Sequence, residues 1–346
     1  MSSDQFHFTT CQIGAEKALK AEFAREHPSL KPAFARPGFV TFKGQGDMTS
    51  VFARASGLSF GKAASEDELA EILPKILENL AVPLGKKTRL HVWERDRFTV
   101  GEEPPTYTRD ARVKKIRARL LKLLAVEKES EPEVGDTVLD VIDVDENLWW
   151  IGTHTHAVDR SVYPGGVPSI TLPENAPSRA YLKLREALLW SRVPMQKGDL
   201  AVELGSAPGG ASYALLEDGL RVIGIDPGDM DPKIISHPQF RHLQIGALSV
   251  QAKQVQDAQW FLMDVNIEPK QAIPWAEMIT KQIGDSLLGV ILTIKLNQWS
   301  LAEKIPNYLD AVRAVGMTKV RARQLAFNKQ EICVYGLTRK GAARLR

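Results

Sequence analysis

The sequence predicts two parts of different class: an α+β front part and an α/β back part built on a largely parallel sheet. Three observations carry this reading. Residues 1–165 hold strand-like and helix-like stretches that do not strictly alternate. Residues 161–178, SVYPGGVPSITLPENAPS, contain four prolines and two glycines and read as a linker. Beyond them, short apolar runs return regularly with helical stretches between most of them, the pattern of strands joined by crossover helices.

In the front part, FHFTT alternates as a strand, and AEKALKAEFAREH places Ala15, Leu19 and Phe23 at helical spacing. GFVTFKG reads as a further strand. RLHVWERDR and NLWWIGTHTH read as two more, with a helix over Arg112–Leu124 between them. In that helix Val113, Ile116, Leu120 and Leu123 form an apolar face, and Arg112, Lys115, Arg119 and Lys122 lie largely on another. The basic face is either an ordinary solvated surface or a phosphate-contacting one. His154 and His156 share a strand face; two histidines without a third ligand are a weak metal signal, so surface or interface packing is expected.

In the back part, strands are expected at Leu200–Leu204, Arg221–Asp226, Arg241–Ile245, Trp260–Asp264, Val290–Leu296, Lys319–Leu325 and Ile332–Leu337. Residues 246–259 are the least regular stretch. Lys319, Arg321 and Arg323 alternate and share one side of a strand, and RKGAARLR closes the chain with more positive charge. Phosphate contacts are expected there; base readout does not follow from charge.

Composition sets wide bounds. Of 346 residues, 44% are apolar and 25% charged, as in ordinary globular proteins, so wholesale disorder is not expected. A formal charge of +3 is too small to identify a partner. Cys11 and Cys333 make no disulfide framework, which favours a reduced, cytoplasmic setting. MSSDQFHFTT lacks the basic and apolar regions of a signal peptide. No run approaches the ~18 apolar residues of a membrane span.

The most specific local signal is VELGSAPGGASYALLEDGLRVIGIDPGDM, residues 202–230. Its outline is a strand, a glycine-rich turn, a helix and a second strand ending on Asp226. The turn is not G-x-G-x-x-G, because Ala207 replaces the second glycine and Gly209 and Gly210 are adjacent. With Ala207 and Pro208 in the turn, a pyrophosphate fits poorly. Asp226, about twenty residues beyond the turn, suits a ribose hydroxyl. A nucleoside without a diphosphate fits better than NAD, although a Gly-Gly after proline is also compatible with a plain strand-to-helix turn.

ELGSAPGGASYAL resembles the S-adenosylmethionine loop of the FtsJ-like ribose 2′-O-methyltransferases, close to D-L-G-x-x-P-G-G-[WF]-[ST], with Ala211 in place of the usual aromatic. IGIDPGDMDPKI resembles the family's next segment. The resemblance implies a Rossmann-like domain whose seven-stranded sheet has an antiparallel last strand. Gly205, Ser206, Ala207, Pro208, Gly209, Gly210, Asp226 and Asp264 would then line the S-adenosyl-L-methionine site. The family often has an acidic residue after strand three, where this chain reads LQIGALSV.

The same resemblance implies a Lys-Asp-Lys-Glu catalytic set. PSRAYLKLREAL resembles the family's S-R-A-x-x-K-L-x-E helix and puts the first lysine at Lys183. WFLMDVN supplies Asp264, VILTIKLNQ supplies Lys295 and NKQEICVYGL supplies Glu331. Asp264 and Lys295 stand at carboxyl ends of expected parallel strands, the edge where open α/β sheets bind ligands. An antiparallel last strand would bring Glu331 to that edge too. A ribose hydroxyl is a poor nucleophile, and a nearby ammonium stabilises its alkoxide. That role is expected of Lys295, with Asp264 and Glu331 orienting it, Lys183 beside the 2′-oxygen, and no metal required. Val265, Asn266 and Ile267 do not form the loop of amino-directed base methylases, which favours oxygen as the acceptor.

FTTCQIGAEKALKAEFA, followed by GFVTFKG and VFARASGLSFGKA, resembles the opening of THUMP-containing RNA methylases. The implied division is an α+β ferredoxin-like subdomain over 1–75, a THUMP-like RNA-binding subdomain over 76–165, a linker over 166–177 and the FtsJ-like domain over 178–346. The function these resemblances imply is methyl transfer to a ribose 2′-hydroxyl of RNA, a cytidine of 23S ribosomal RNA. The alternative is a non-catalytic RNA-binding protein that keeps the fold. An NAD-dependent oxidoreductase is the weaker third reading, because the fingerprint is imperfect.

Overall fold

The computed structural model describes residues 5–79, 87–102, 111–124 and 131–345. The chain divides into two compact units, Met1–Ser169 and Ile170–Arg346.

The first unit runs β1 (Phe6–Thr10), α1 (Glu16–Glu26), β2 (Lys31–Arg36), β3 (Phe39–Lys43), β4 (Ala55–Ala63), α2 (Glu66–Asn79), β5 (Thr88–Glu94), α3 (Ala111–Leu124), β6 (Thr137–Asp145) and β7 (Leu148–Thr155). Its strands form one sheet in the order β2-β3-β1-β4-β7-β6-β5. Only the β5–β6 pair is parallel among the described ladders. Residues 75 and 76 both lie inside α2, and strands on either side of that helix share the sheet.

Alternation along the strands splits the core between the two faces. Leu90, Val92, Leu139, Val141 and Ile151 pack with Leu69, Leu73 and Leu77 of α2 and Val113, Ile116 and Leu120 of α3. Trp93, Ile142 and Val144 join Phe8 and Phe39 in a separate cluster. The expected apolar face of α3 needs one correction. Leu123 is 47% exposed, while Leu121 and Leu124 are buried, because positions 113, 116, 120 and 124 follow the helical stripe and 123 falls outside it.

β6 escapes a reading by apolar alternation because Asp140 and Asp143 sit among its valines, Leu139 and Ile142, and both are buried. Each is matched by a basic partner: Asp140 by His154, and Asp143 by Arg112 and Arg97. These basic neighbours offset part of the cost of burial, which still pushes both carboxyls up, Asp143 to about 6.

The second unit runs α4 (Ala180–Ser191), β8 (Leu200–Leu204), α5 (Gly210–Glu217), β9 (Arg221–Ile225), α6 (Pro232–Ile235), β10 (Phe240–Leu243), α7 (Ala252–Val255), β11 (Trp260–Asp264), α8 (Pro269–Ile283), β12 (Gly289–Lys295), α9 (Ile305–Ala314), β13 (Lys319–Arg323), β14 (Glu331–Leu337) and α10 (Arg339–Ala343). The sheet order is β10-β9-β8-β11-β12-β14-β13. The first five strands are mutually parallel, and β14 is antiparallel to both of its neighbours. The irregular stretch 246–259 contains the one-turn helix α7, closed by a reciprocal Gln251–Gln254 capping box.

Two features of this sheet place the site. The chain leaves β8 toward β9 and β10, then returns to the other side of β8 to form β11. That reversal opens a crevice at the carboxyl ends of β8 and β11. Inserting β14 in reverse brings its first residue, Glu331, to the same edge, opposite the last residue of β12, Lys295.

Candidate active site

The glycine-rich turn is shaped by close approach. Gly205 has φ +83°, and a Cβ there would fall 2.4 Å from the Asp264 carbonyl oxygen. The ends of β8 and β11 can be this close only without a side chain at 205. Gly209 precedes α5 with φ +118° and lies against Ile234 and Met230. A Cβ at Gly210 would meet Ser178 Oγ at 2.2 Å, so this second glycine lets the segment leading into α4 approach α5. Ala211, in the position of the family's aromatic, is buried in the same packing.

Asp226 ties the two halves of the turn together. Its Oδ2 accepts from the Ala207 amide at 3.2 Å and its Oδ1 from the Gly228 amide at 2.7 Å. Ser206 is buried against Met230. Asp231 caps α6 through the Lys233 amide at 2.8 Å, and its own amide donates to the Pro208 carbonyl at 2.9 Å. A half-buried carboxylate therefore stands beside the partly exposed backbone of Gly205 and Ala207. That donor and acceptor set fits a nucleoside with a free ribose diol.

The four expected catalytic residues meet. Lys183 Nζ lies 2.9 Å from Asp264 Oδ2 and 2.6 Å from Glu331 Oε1. Lys295 Nζ lies 2.9 Å from Asp264 Oδ1 and also bonds Glu331 Oε2. Two ammoniums and two carboxylates thus alternate around a closed ring, drawn from α4, β11, β12 and β14. Arg185 ties the helix that brings Lys183 to the end of α5: its Nη1 donates to Asp218 at 2.7 Å and its Nη2 to Glu217 Oε2 at 2.8 Å.

The ring sets its own charge states. Burial opposes ionisation of Asp264, but Lys183 and Lys295 outweigh it and hold its carboxyl below the usual range. Burial likewise disfavours the Lys295 ammonium, and Asp264 and Glu331 overcome it and raise its basicity. Lys295 is therefore a firmly held cation at neutral pH.

Two neighbours were not singled out from the sequence. Glu203, on β8, is fully buried; burial pushes its carboxyl up to about 8, with Asp264 and Asp226 adding to the shift. Ser212 donates to it at 2.5 Å. A cavity of about 30 Å³ is lined by Glu203, Lys183, Asp264 and Asn328, among others. Asn328 reaches Glu331 Oε1 at 3.4 Å. Glu203 occupies the acidic position of E-L-G, a signal in the motif itself; Asn328 lies in a turn that carries no pattern.

Other expectations fare differently. His154 and His156 are not surface groups: His154 is largely buried with its Nδ1 2.6 Å from Asp140 Oδ2, and His156 is 3% exposed. Buried Asp140 draws the histidine inward. On α3, Arg112 and Lys115 pair with Glu66, and Arg119 pairs with Asp67 at 2.7 Å. The acidic start of α2 thus occupies much of the basic face. Lys319, Arg321 and Arg323 do lie on one side of β13. In the C-terminal basic stretch Arg344 binds Asp199 at 2.7 Å, and Arg346 lies outside the described residues. Among the described residues no group of three His, Cys, Asp or Glu side chains could hold a metal ion, and no helix is long and apolar enough to cross a membrane.

Residues 176–303 match the family of FtsJ-like methyltransferases. They form an FtsJ-like methyltransferase domain. The FtsJ-like match runs from just before α4 through β12 and so includes Lys183, Asp264 and Lys295. The chain is 35% identical over 181 residues to the ribosomal RNA large subunit methyltransferase M of Halorhodospira halophila (strain DSM 244 / SL1), covering 51% of each protein. It is 28% identical over 225 residues to the protein of the same name from Proteus mirabilis (strain HI4320), covering 62% of this chain and 59% of that one. The chain thus spans about half the length of the curated relatives it matches. Among solved structures, TrmN from Thermus thermophilus aligns with 96% of this chain and 99% of its own at a TM-score of 0.35 and 13% identity.

Proposed function

We propose that the chain transfers a methyl group from S-adenosylmethionine to a ribose 2′-hydroxyl of RNA, and that its acceptor is a cytidine of 23S ribosomal RNA. The observation that carries the reading is the closed Lys183–Asp264–Lys295–Glu331 ring beside the Gly205–Gly210 turn.

The turn backbone and Asp226 hold the cofactor's nucleoside, with Gly205 letting it sit against the end of β11. Gln244 follows β10, where the family often has an acid, and donates to Asp229 Oδ1 at 3.1 Å. S-Adenosylmethionine supplies a methyl group on a sulfonium, a good leaving group. Lys295 and Lys183 face the 2′-oxygen as ammoniums and stabilise the alkoxide that develops there. Asp264 and Glu331 hold both lysines in place and keep Lys295 charged. The raised basicity of Lys295 marks it as an electrostatic partner of the oxygen, not as the base that takes its proton. In-line positioning of oxygen and methyl supplies much of the remaining acceleration.

RNA backbone contacts come from the Lys319–Arg323 edge of the second unit and from the first unit, whose subdomains we read as ferredoxin-like and THUMP-like. Transfer of labelled methyl to ribosomal RNA tests the reading: it should vanish in Lys295→Ala and Asp264→Ala while both remain folded. Full activity in both variants would sink it. The absence of an acid directly after β10 favours a second reading, a non-catalytic RNA-binding protein. Calorimetry decides between them, because no cofactor binding at millimolar concentration would select the second.

A further inference from the structure

Glu186 lies one helical turn after Lys183 on α4 and is buried, with 4% exposure. Its Oε1 accepts from the Ala326 amide and its Oε2 from the Phe327 amide, both at 2.8 Å. A buried carboxylate that takes two backbone N–H groups in this way is a strong, directional clamp. It grips the turn between β13 and β14.

That turn is itself a wired unit. The Leu325 amide donates to Asn328 Oδ1 at 3.0 Å, and Gln324 Nε2 donates to the Lys329 carbonyl at 3.1 Å. The Asn328 side-chain amide and the Lys329 backbone amide both reach Glu331 Oε1 at 3.4 Å. The same oxygen receives Lys183 Nζ at 2.6 Å. A circuit therefore closes: Lys183, one turn of α4, Glu186, the β13–β14 turn, Glu331 and back to Lys183.

We propose that Glu186 is a positioning residue that sets the contact between Lys183 and Glu331, and so fixes the lysine beside the acceptor oxygen. The inference rests on the function proposed above. The site is drawn from elements far apart in sequence, and this clamp joins α4 to the turn that opens β14 through paired bonds to backbone amides. Glutamine is the informative replacement. Its side-chain NH2 would face one of the two amides, so one bond is lost and a donor meets a donor.

The test uses the full chain with Glu186→Gln and Asn328→Ala. Glu186→Gln should stay folded and bind S-adenosylmethionine within about twofold of the parent, with the RNA KM similarly unchanged. Its kcat should fall about tenfold or more, because a small misplacement at the reacting centre is amplified in rate. In its crystal structure Lys183 Nζ and Glu331 should lie beyond about 3.5 Å. A contact still at 2.6 Å, or a kcat within about twofold of the parent, overturns the proposal. A purely structural role would lower the melting temperature without moving either readout. If Glu186→Gln does not fold, Asn328→Ala decides by the same two readouts, since it cuts the circuit one step later. If the parent transfers no methyl to RNA, the functional reading fails; the Lys183–Glu331 separation, read without turnover, still decides the role of Glu186.

Discussion

Lys295 and Glu331 are register partners across the antiparallel β12–β14 ladder, the last residue of one strand against the first of the other. Their side chains share a face and bond directly. Lys295→Ala leaves Glu331, with 4% side-chain exposure, held by Lys183 alone on the cationic side of the ring. Methyl transfer should fall about 100-fold or more, the scale seen when one electrostatic stabiliser of a developing oxyanion is removed. Labelled-methyl transfer, with circular dichroism confirming the fold, measures it; less than about a tenfold loss would take the alkoxide away from Lys295.

Glu203 makes the stability of the second unit depend on pH. In the unfolded chain it ionises above about 4.5, whereas the folded site keeps it protonated up to about 8. Between those values the unfolded state binds fewer protons than the folded one, so stability from this group falls as pH rises. Glu203→Gln mimics the protonated side chain and removes the slope. Melting temperatures measured across this window should decline for the parent and stay flatter for the variant; parallel curves refute the assignment.

Gly205→Ala tests the crevice. The added methyl would overlap the Asp264 carbonyl at 2.4 Å and occupy a left-handed backbone. A loss of about 1–3 kcal/mol is expected, together with displacement of Asp264 from the ring. Chemical denaturation gives the first, and the drop in methyl transfer gives the second. A variant as stable and active as the parent would mean that the ends of β8 and β11 can separate freely.

Asp226→Ala removes the carboxylate that binds both sides of the turn. Calorimetry should show S-adenosylmethionine affinity reduced about tenfold or more, since the carboxylate proposed to meet the ribose is lost and the turn is loosened. Unchanged affinity would place the ribose elsewhere.

The two basic surfaces should behave differently toward RNA. Lys319→Ala and Arg321→Ala should each weaken binding and lower the slope of log affinity against log salt by about 0.7, as for one phosphate contact on a single strand. Lys115→Ala should change the slope less, because Glu66 lies 3.2 Å from that lysine and competes with phosphate for it. Equal effects from all three would assign α3 to the RNA path.

The parallel strands of the second unit were legible because their burial on both faces writes short apolar runs, as in Trp260–Asp264 and Gly289–Lys295. Lys183, Asp264, Lys295 and Glu331 were legible through a family pattern plus the rule that strand ends converge. Glu186 was inside that pattern, yet its task depends on amides 140 and 141 residues away, which no local period reports. His154 of β7 was misjudged because what buries it, Asp140, sits on a neighbouring strand. The charges of α3 were ambiguous for a similar reason: their partners are on α2.

The alternating ring of Lys183, Asp264, Lys295 and Glu331 sums to zero formal charge. Such an arrangement has a strong field within a few ångströms and almost none farther away, because its opposite charges cancel with distance. It is mute to an approaching RNA and speaks only to an oxygen already in place. For the proposed RNA methyl transfer, capture of the polyanion and activation of its hydroxyl would then be separated in space, and salt should govern the first far more than the second. Neutralising one carboxylate, as in Asp264→Asn, would leave the ring cationic: such an enzyme should hold RNA more tightly and methylate it more slowly.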